Sequence, residues 1–131
     1  MFLLIGAVLG ASGTYVVGRL SRREERRHAA ELAEHERDRL NREATRADLD
    51  ETRRLLLVAD YALRLTSEPI SVDLVATITN AMATHSKILP SNEAETFAHA
   101  LFVARNRGTT HEVLERITAY VADIDRRLAL L

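Results

Sequence analysis

Residues 113–128 of this chain read VLERITAYVADIDRRL and contain the clearest helical pattern in the sequence. Apolar side chains recur there at helical intervals, at Val113, Leu114, Ile117, Tyr120, Val121, Ile124 and Leu128. Because an α-helix turns once in about 3.6 residues, these positions share one face. The pattern predicts an amphipathic helix that begins just after Gly108, a residue typical of helix ends. Thr109 and Glu112 match a capping box for its first turn.

Two further amphipathic helices are predicted before this one, and a proline precedes each. The first follows Pro69, has Ser71 as a candidate N-cap, and carries its apolar residues at Val72, Val75, Ile78, Met82 and Leu89. The second follows Pro90, has Ser91 as a candidate N-cap, and carries an apolar face at Ala94, Phe97, Ala98, Leu101 and Phe102. A serine oxygen accepts a hydrogen bond from the first turn of a helix, and a proline disfavours helix at the residue before it.

A strongly apolar run, LLLVADYALRL at residues 55–65, supplies a fourth helical piece. Together with the three helices that follow, it predicts a small antiparallel helical bundle over residues 55–131. The alternating apolar and polar pattern that strands require is missing. The sequence therefore predicts an all-α fold.

Residues 21–54 predict a long charged helix that could form a coiled coil. From Arg19 to Arg54 there are 11 arginines and 10 acidic residues, without a glycine or proline. Mixed charges at helical spacing support a solvated helix. A strict heptad series fits poorly, because it places Arg37, Glu51 and Arg54 in the seam. A series that steps by four, three and four fits better, and it predicts a homo-oligomer seam through Leu40, Ala44, Ala47, Leu55, Val58, Ala62 and Leu65. The alternative is a single solvated helix that acts as a spacer.

Residues 1–20 predict a transmembrane anchor. Residues 1–18 carry no charge, and as a helix they extend about 27 Å, close to the thickness of a bilayer core. The basic residues all follow the apolar run, at Arg19, Arg22, Arg23, Arg26 and Arg27. This asymmetry predicts a single pass through the inner (plasma) membrane with the N-terminus outside, the body in the cytoplasm and the arginines near lipid head groups. Small residues four apart predict a helix-packing ridge in the membrane, formed by Gly6, Gly10, Thr14 and Gly18.

Two other interpretations of this segment stay open at the level of sequence. A cleaved signal peptide has a basic stretch before its apolar run, whereas here the positive charge follows the run. A core helix of a soluble protein normally shows a polar face, and the strongest polar positions here are Ser12 and Thr14.

Composition and motifs argue against catalysis and against a cofactor. The chain has no cysteine, which excludes disulfides, thiol chemistry and cysteine-bound zinc. Its five histidines pair at most with one nearby acid, whereas a metal site needs three or four ligands. No glycine-rich phosphate loop is present, and no small-molecule substrate is indicated. A net charge of −1 and charged stretches without aromatic residues argue against nucleic-acid binding.

The sequence therefore predicts a membrane-anchored scaffold or interaction protein that presents a small cytoplasmic bundle to an unknown protein partner. Two alternatives come from other classes. One is a membrane-active effector of the phage-lysis or toxin type, which assembles through its N-terminal helix. The other is a soluble helical regulator. The dominance of arginine among the basic residues is typical of a GC-rich bacterial genome.

Overall fold

The computed structural model describes the backbone of residues 2–131 and the side chains of residues 22–131. Within those limits the chain forms four α-helices and no strand. The helices are α1 (Phe2–Leu65), α2 (Val72–Asn80), α3 (Ser91–Arg107) and α4 (Thr110–Ala129), and α2 continues into a π-helical segment, Ala81–His85. The predicted all-α class and the helical bundle are confirmed.

The chain divides into two compact units, Met1–Asn41 and Arg42–Leu131, and α1 contributes residues to both. In the first unit, every described side chain from Arg22 to Asn41 is exposed. One ion pair there joins Arg39 to Glu36, and the Nε of the arginine lies 3.1 Å from a carboxylate oxygen. The core of the described structure therefore lies in the second unit.

The core of the second unit combines apolar side chains from all four helices and from two of the loops. Its buried members are Leu49, Leu55, Leu56, Ala59, Leu63, Ile70, Ile78, Ala81, Met82, Ile88, Ala94, Phe97, Leu101, Ala104, Val113, Ile117 and Ile124. The ring of Phe97 meets the ring of Tyr120 edge to face, with 5.0 Å between the centroids and 89° between the planes. The apolar face predicted for α4 is confirmed, because each of its residues is buried or packs against this core.

The buried part of α1 begins before residue 55, where the apolar run that predicted the first helix of the bundle starts. Its buried line begins at Leu49 and alternates steps of three and four, through Leu49, Thr52, Leu56, Ala59 and Leu63. Thr52 is polar yet fully buried, and its Oγ1 donates a hydrogen bond of 2.9 Å to the carbonyl of Asp48. That bond satisfies the hydroxyl inside the helix, so the threonine can occupy a core position.

The helix ends follow the predictions in part. Ser71 is the N-cap of α2, since its Oγ accepts a hydrogen bond from the backbone N–H of Leu74 at 3.2 Å. Gly108 ends α3 in the left-handed conformation, with φ 68° and ψ 25°. The Ser91 cap is wrong, because the helix already begins at Ser91 and the extended backbone of Pro90 precedes it. The capping box is also wrong: Thr109 has a ψ of 18°, outside the extended region of a capping residue, and makes no capping hydrogen bond.

A long-range hydrogen bond ties α3 to the end of α1. The guanidinium of Arg105 donates to the carbonyl of Ala62 at 2.5 Å, and the hydroxyl of Thr66 donates to the same oxygen at 2.8 Å. The same oxygen also accepts the backbone N–H of Thr66 at 3.3 Å, so three donors converge on this carbonyl in the last turn of α1. A second link joins α1 to α4, where the Nε of Arg53 lies 2.8 Å from a carboxylate oxygen of Asp125.

Tyr120 gives this unit an expected dependence on alkaline pH. Burial raises the pKa of its phenol, with a smaller opposing effect from nearby Arg116. The folded state therefore favours the neutral phenol more than the unfolded chain does. Its contribution to stability is complete below the unfolded pKa of about 10 and is lost as pH rises through the folded pKa. We expect the free energy of unfolding to fall across this range.

The test compares urea unfolding between pH 9 and pH 11 for the wild type and Tyr120→Phe. Tyr120→Phe should show a shallower fall with pH, because the replacement cannot ionise. Equal slopes for the two proteins would contradict the assignment.

The predicted localisation is corrected by the structure. Among the described residues, no helix is long and apolar enough to cross a bilayer. In the described part of α1 the reason is charge, because ionised side chains recur too densely from Arg22 to Arg54 to leave an apolar stretch of spanning length. The prediction of a single pass through the inner membrane, with a cytoplasmic body, is therefore wrong on this finding. The side chains of residues 1–20, on which that prediction depended, lie outside those that the structure describes.

Candidate protein-interaction surface

The side of α1 that faces away from the core carries large apolar side chains near its end. Leu57, Val58, Tyr61 and Leu65 are 41%, 39%, 61% and 68% exposed, respectively. At about 100° per residue these four positions fall within an arc of about 100° around the helix. The buried line through Leu56, Ala59 and Leu63 occupies the opposite side. Single exposed apolar residues are ordinary, but a group on one face is typical of a binding surface.

This exposed side extends towards the beginning of the second unit with regular spacing. The positions recur at intervals of three and four, and all are exposed: Ala44, Ala47, Glu51, Arg54, Val58, Tyr61 and Leu65. We call these seven residues the outer stripe. Their spacing is that of a heptad seam, in which alternate steps of three and four keep side chains on one face of a helix. Two charged residues interrupt an otherwise apolar series.

The two charged residues of the outer stripe pair with each other. The guanidinium of Arg54 donates hydrogen bonds of 2.9 and 2.6 Å to the two carboxylate oxygens of Glu51. The hydrogen bond from Arg54 lowers the pKa of Glu51, and the same bond raises the pKa of Arg54. Both residues are therefore ionised near neutral pH, and both remain exposed at the middle of the stripe.

The structure separates the residues of the predicted oligomer seam into two environments. Leu55 is buried in the core of its own chain, and Ala62 packs partly against that core. The other predicted seam residues are exposed, namely Leu40, Ala44, Ala47, Val58 and Leu65. The role of the seam in oligomer formation stays a prediction.

The other predicted site residues lie at or before the start of the described side chains. Arg22, Arg23, Arg26 and Arg27 are exposed on α1. The remaining predicted residues lie outside the part of the chain whose side chains the structure describes. They are the four residues of the predicted helix-packing ridge, Gly6, Gly10, Thr14 and Gly18, and the first arginine, Arg19.

A groove between α3 and α4 is a concave feature of the second unit. Its volume is about 320 Å³, and its polar lining comprises Thr96, His99, Arg107, Thr109, Glu112 and Arg116. The lining carries both signs of charge, so it does not select an anion or a cation. No group of three metal-ligating side chains converges within residues 22–131. The Nε2 of His111 on α4 lies 3.1 Å from a carboxylate oxygen of Glu115, as an exposed pair.

Sequence reasoning missed Tyr61 as a surface residue. The signal was present, because the strict heptad series contains Tyr61 together with Val58 and Leu65. That series was set aside because Arg37, Glu51 and Arg54 interrupt it, and the series chosen instead passes through Leu55 and Ala62. The exposure of Tyr61 and the burial of Leu55 show that the outer side of α1 follows the heptad series.

Comparisons with protein-family models, with curated proteins and with solved structures find no match for this chain.

Proposed function

We propose that the Arg42–Leu131 unit is a protein-interaction module that acts by binding, and that its binding surface is the outer side of α1 around Tyr61. One observation carries the proposal. Leu57, Val58, Tyr61 and Leu65 are exposed together on the side of α1 that faces away from the core. Their chain segment is buried on its other side, so the bundle holds these residues in a fixed arrangement.

The chemistry of this surface supports recognition of another protein. Tyrosine is enriched at protein interfaces because its ring supplies apolar area while its hydroxyl can form a hydrogen bond. Complete burial of a fully exposed valine or leucine contributes about 1.5–3 kcal/mol, and Val58 and Leu65 would gain the share that matches their exposed fractions of 39% and 68%. The nearby ion pair of Asp60 with Arg64 supplies polar groups of the kind that surround an interface core.

A photo-cross-linking experiment tests the proposal. A photoreactive phenylalanine derivative replaces Tyr61 in the full chain, expressed in its native host. The matched control carries the same derivative at His111, which is exposed on α4. We expect a defined covalent adduct from position 61 and none from position 111. The mass of the adduct identifies the partner. Adducts at neither position, with protein of normal abundance, would overturn the proposal.

A further inference from the structure

The residue types of the outer stripe are self-complementary when two copies of α1 are placed side by side in antiparallel orientation. If Glu51 of one copy faces Arg54 of a second copy in antiparallel orientation, the remaining pairs are fixed by counting along the helix. Ala47 then faces Val58, and Ala44 faces Tyr61. Six of the seven residues of the outer stripe thus face another residue of the stripe.

These pairs are complementary in size and in charge. Each alanine meets a larger side chain, so that Ala44 leaves room for the ring of Tyr61 and Ala47 leaves room for Val58. Interfaces and cores pack well when small and large side chains alternate across the contact. At the centre, opposite charges meet, and on the flank Glu43 lies beside Arg64 of the second copy. The two charged residues of the outer stripe are therefore partners of each other in this register.

From this register, we infer that the occupant of the outer stripe is a second copy of this chain, packed antiparallel against α1 about a two-fold axis between positions 51 and 54. This inference rests on the proposed function and names its partner. The seven residues of the outer stripe are exposed within one chain, so its own bundle leaves them open to a second copy, although it covers Leu55 and part of Ala62 beside the stripe. In an antiparallel coiled coil, the first seam position of a heptad on one helix faces the second seam position of a heptad on the other helix, as Glu51 faces Arg54 here.

The charges select the antiparallel arrangement over the parallel one. In a parallel pair in register, Glu51 faces Glu51 and Arg54 faces Arg54, and like charges in close contact are destabilising. The antiparallel pair replaces both repulsions with attractions. Arg54 has five N–H donors, so it can hydrogen-bond its own Glu51 and that of the second copy together. A polar layer in a coiled-coil seam fixes register and orientation at some loss of affinity.

Sedimentation equilibrium of the purified full-length chain and its variants tests the charge layer. Glu51→Arg and Arg54→Glu each place two like charges at both central contacts, so each should weaken dimerisation at least tenfold. An equimolar mixture of the two variants should recover the dimer, because every central contact then joins opposite charges. The mixture cannot restore the pair within either chain, so recovery reports on contact between chains.

The control variant is Arg126→Glu, which breaks an exposed ion pair with Asp123 on α4 and should leave the dimer unchanged. Circular dichroism of each variant verifies the helical fold. A wild-type chain that stays monomeric across the concentration range would overturn the inference. It would leave the proposed function standing if position 61 still forms an adduct with a different protein.

Cysteine cross-linking tests the orientation, and the absence of native cysteine keeps the background clean. In the antiparallel register, Ala47 of the two copies lie about 16 Å apart along the axis, too far for a disulfide. Ala47→Cys alone and Val58→Cys alone should therefore give no disulfide dimer under a mild oxidant, whereas a mixture of the two should. Strong cross-linking of either single variant with itself would show a parallel pair and overturn the inference.

Discussion

Replacement of Phe97 by alanine is expected to lower the free energy of unfolding of the Arg42–Leu131 unit by about 3–5 kcal/mol. The ring of Phe97 is only 1% exposed and packs edge to face on Tyr120. Its removal deletes buried apolar area, leaves a cavity and loses an aromatic pair worth about 0.5–1.5 kcal/mol beyond its area. A domain of this size is stabilised by only about 5–13 kcal/mol in total. The variant should therefore melt far below the wild type.

The same helix supplies a matched control for this prediction. Phe102 lies five residues further along α3, and it is 49% exposed. Phe102→Ala removes the same atoms from a site that water already reaches, so its effect should stay below about 1 kcal/mol. Urea unfolding followed by circular dichroism at one fixed protein concentration measures both. Similar losses from the two variants would mean that Phe97 is not the centre of the core.

The part of the fold that could be predicted from sequence is the part in which apolar residues recur at helical spacing and charged residues separate them. In α4 the charged residues Glu115, Arg116 and Asp123 interrupt the apolar series, so one face of the helix is unambiguous. The cap at Ser71 and the stop at Gly108 also follow from local backbone chemistry. These elements needed no knowledge of what packs against them.

The face that α1 buries could not be predicted in the same way. Residues 55–59 are all apolar, so the sequence there allows several buried faces, and only packing against the other helices selects one. Thr52 made the buried face of α1 harder to predict, because a polar residue in a charged segment resembles a surface residue. Its hydroxyl bonds to the carbonyl of Asp48, and this local bond makes burial possible.

The candidate surface was obscured by the same ambiguity. A seam was predicted on α1, but it drew Leu55 from the buried side and omitted Tyr61 from the exposed side. The charges at Glu51 and Arg54 looked like defects in a seam when only one chain was considered. They become complementary when a second copy is placed antiparallel, and symmetry of this kind is not visible in the periodicity of one chain.

Replacement of Leu56 by alanine is the second change with a large expected effect, at about 2–5 kcal/mol of lost stability. Leu56 has no exposed area and lies in the line of α1 residues that the other helices cover. The prediction tests whether α1 belongs to the folded core of the second unit or only adjoins it. If α1 is part of the core, the melting transitions of all four helices should shift together. The measurement is thermal unfolding followed by circular dichroism, with hydrogen exchange to assign the protected amides.

The neighbouring residue provides the control, because Leu57 has the same side chain on the same helix and is 41% exposed. Alanine and leucine have similar helix propensities, so Leu57→Ala should change stability by less than about 1 kcal/mol. A much larger loss of stability for Leu56→Ala than for Leu57→Ala would show that the side of α1 with Leu56 packs in the core and that the side with Leu57 is available for binding. Equal losses, or loss of protection in α1 alone for Leu56→Ala, would show that α1 folds apart from α2, α3 and α4. The outer stripe would then no longer be held in place by the bundle, and the proposed surface would lose its physical basis.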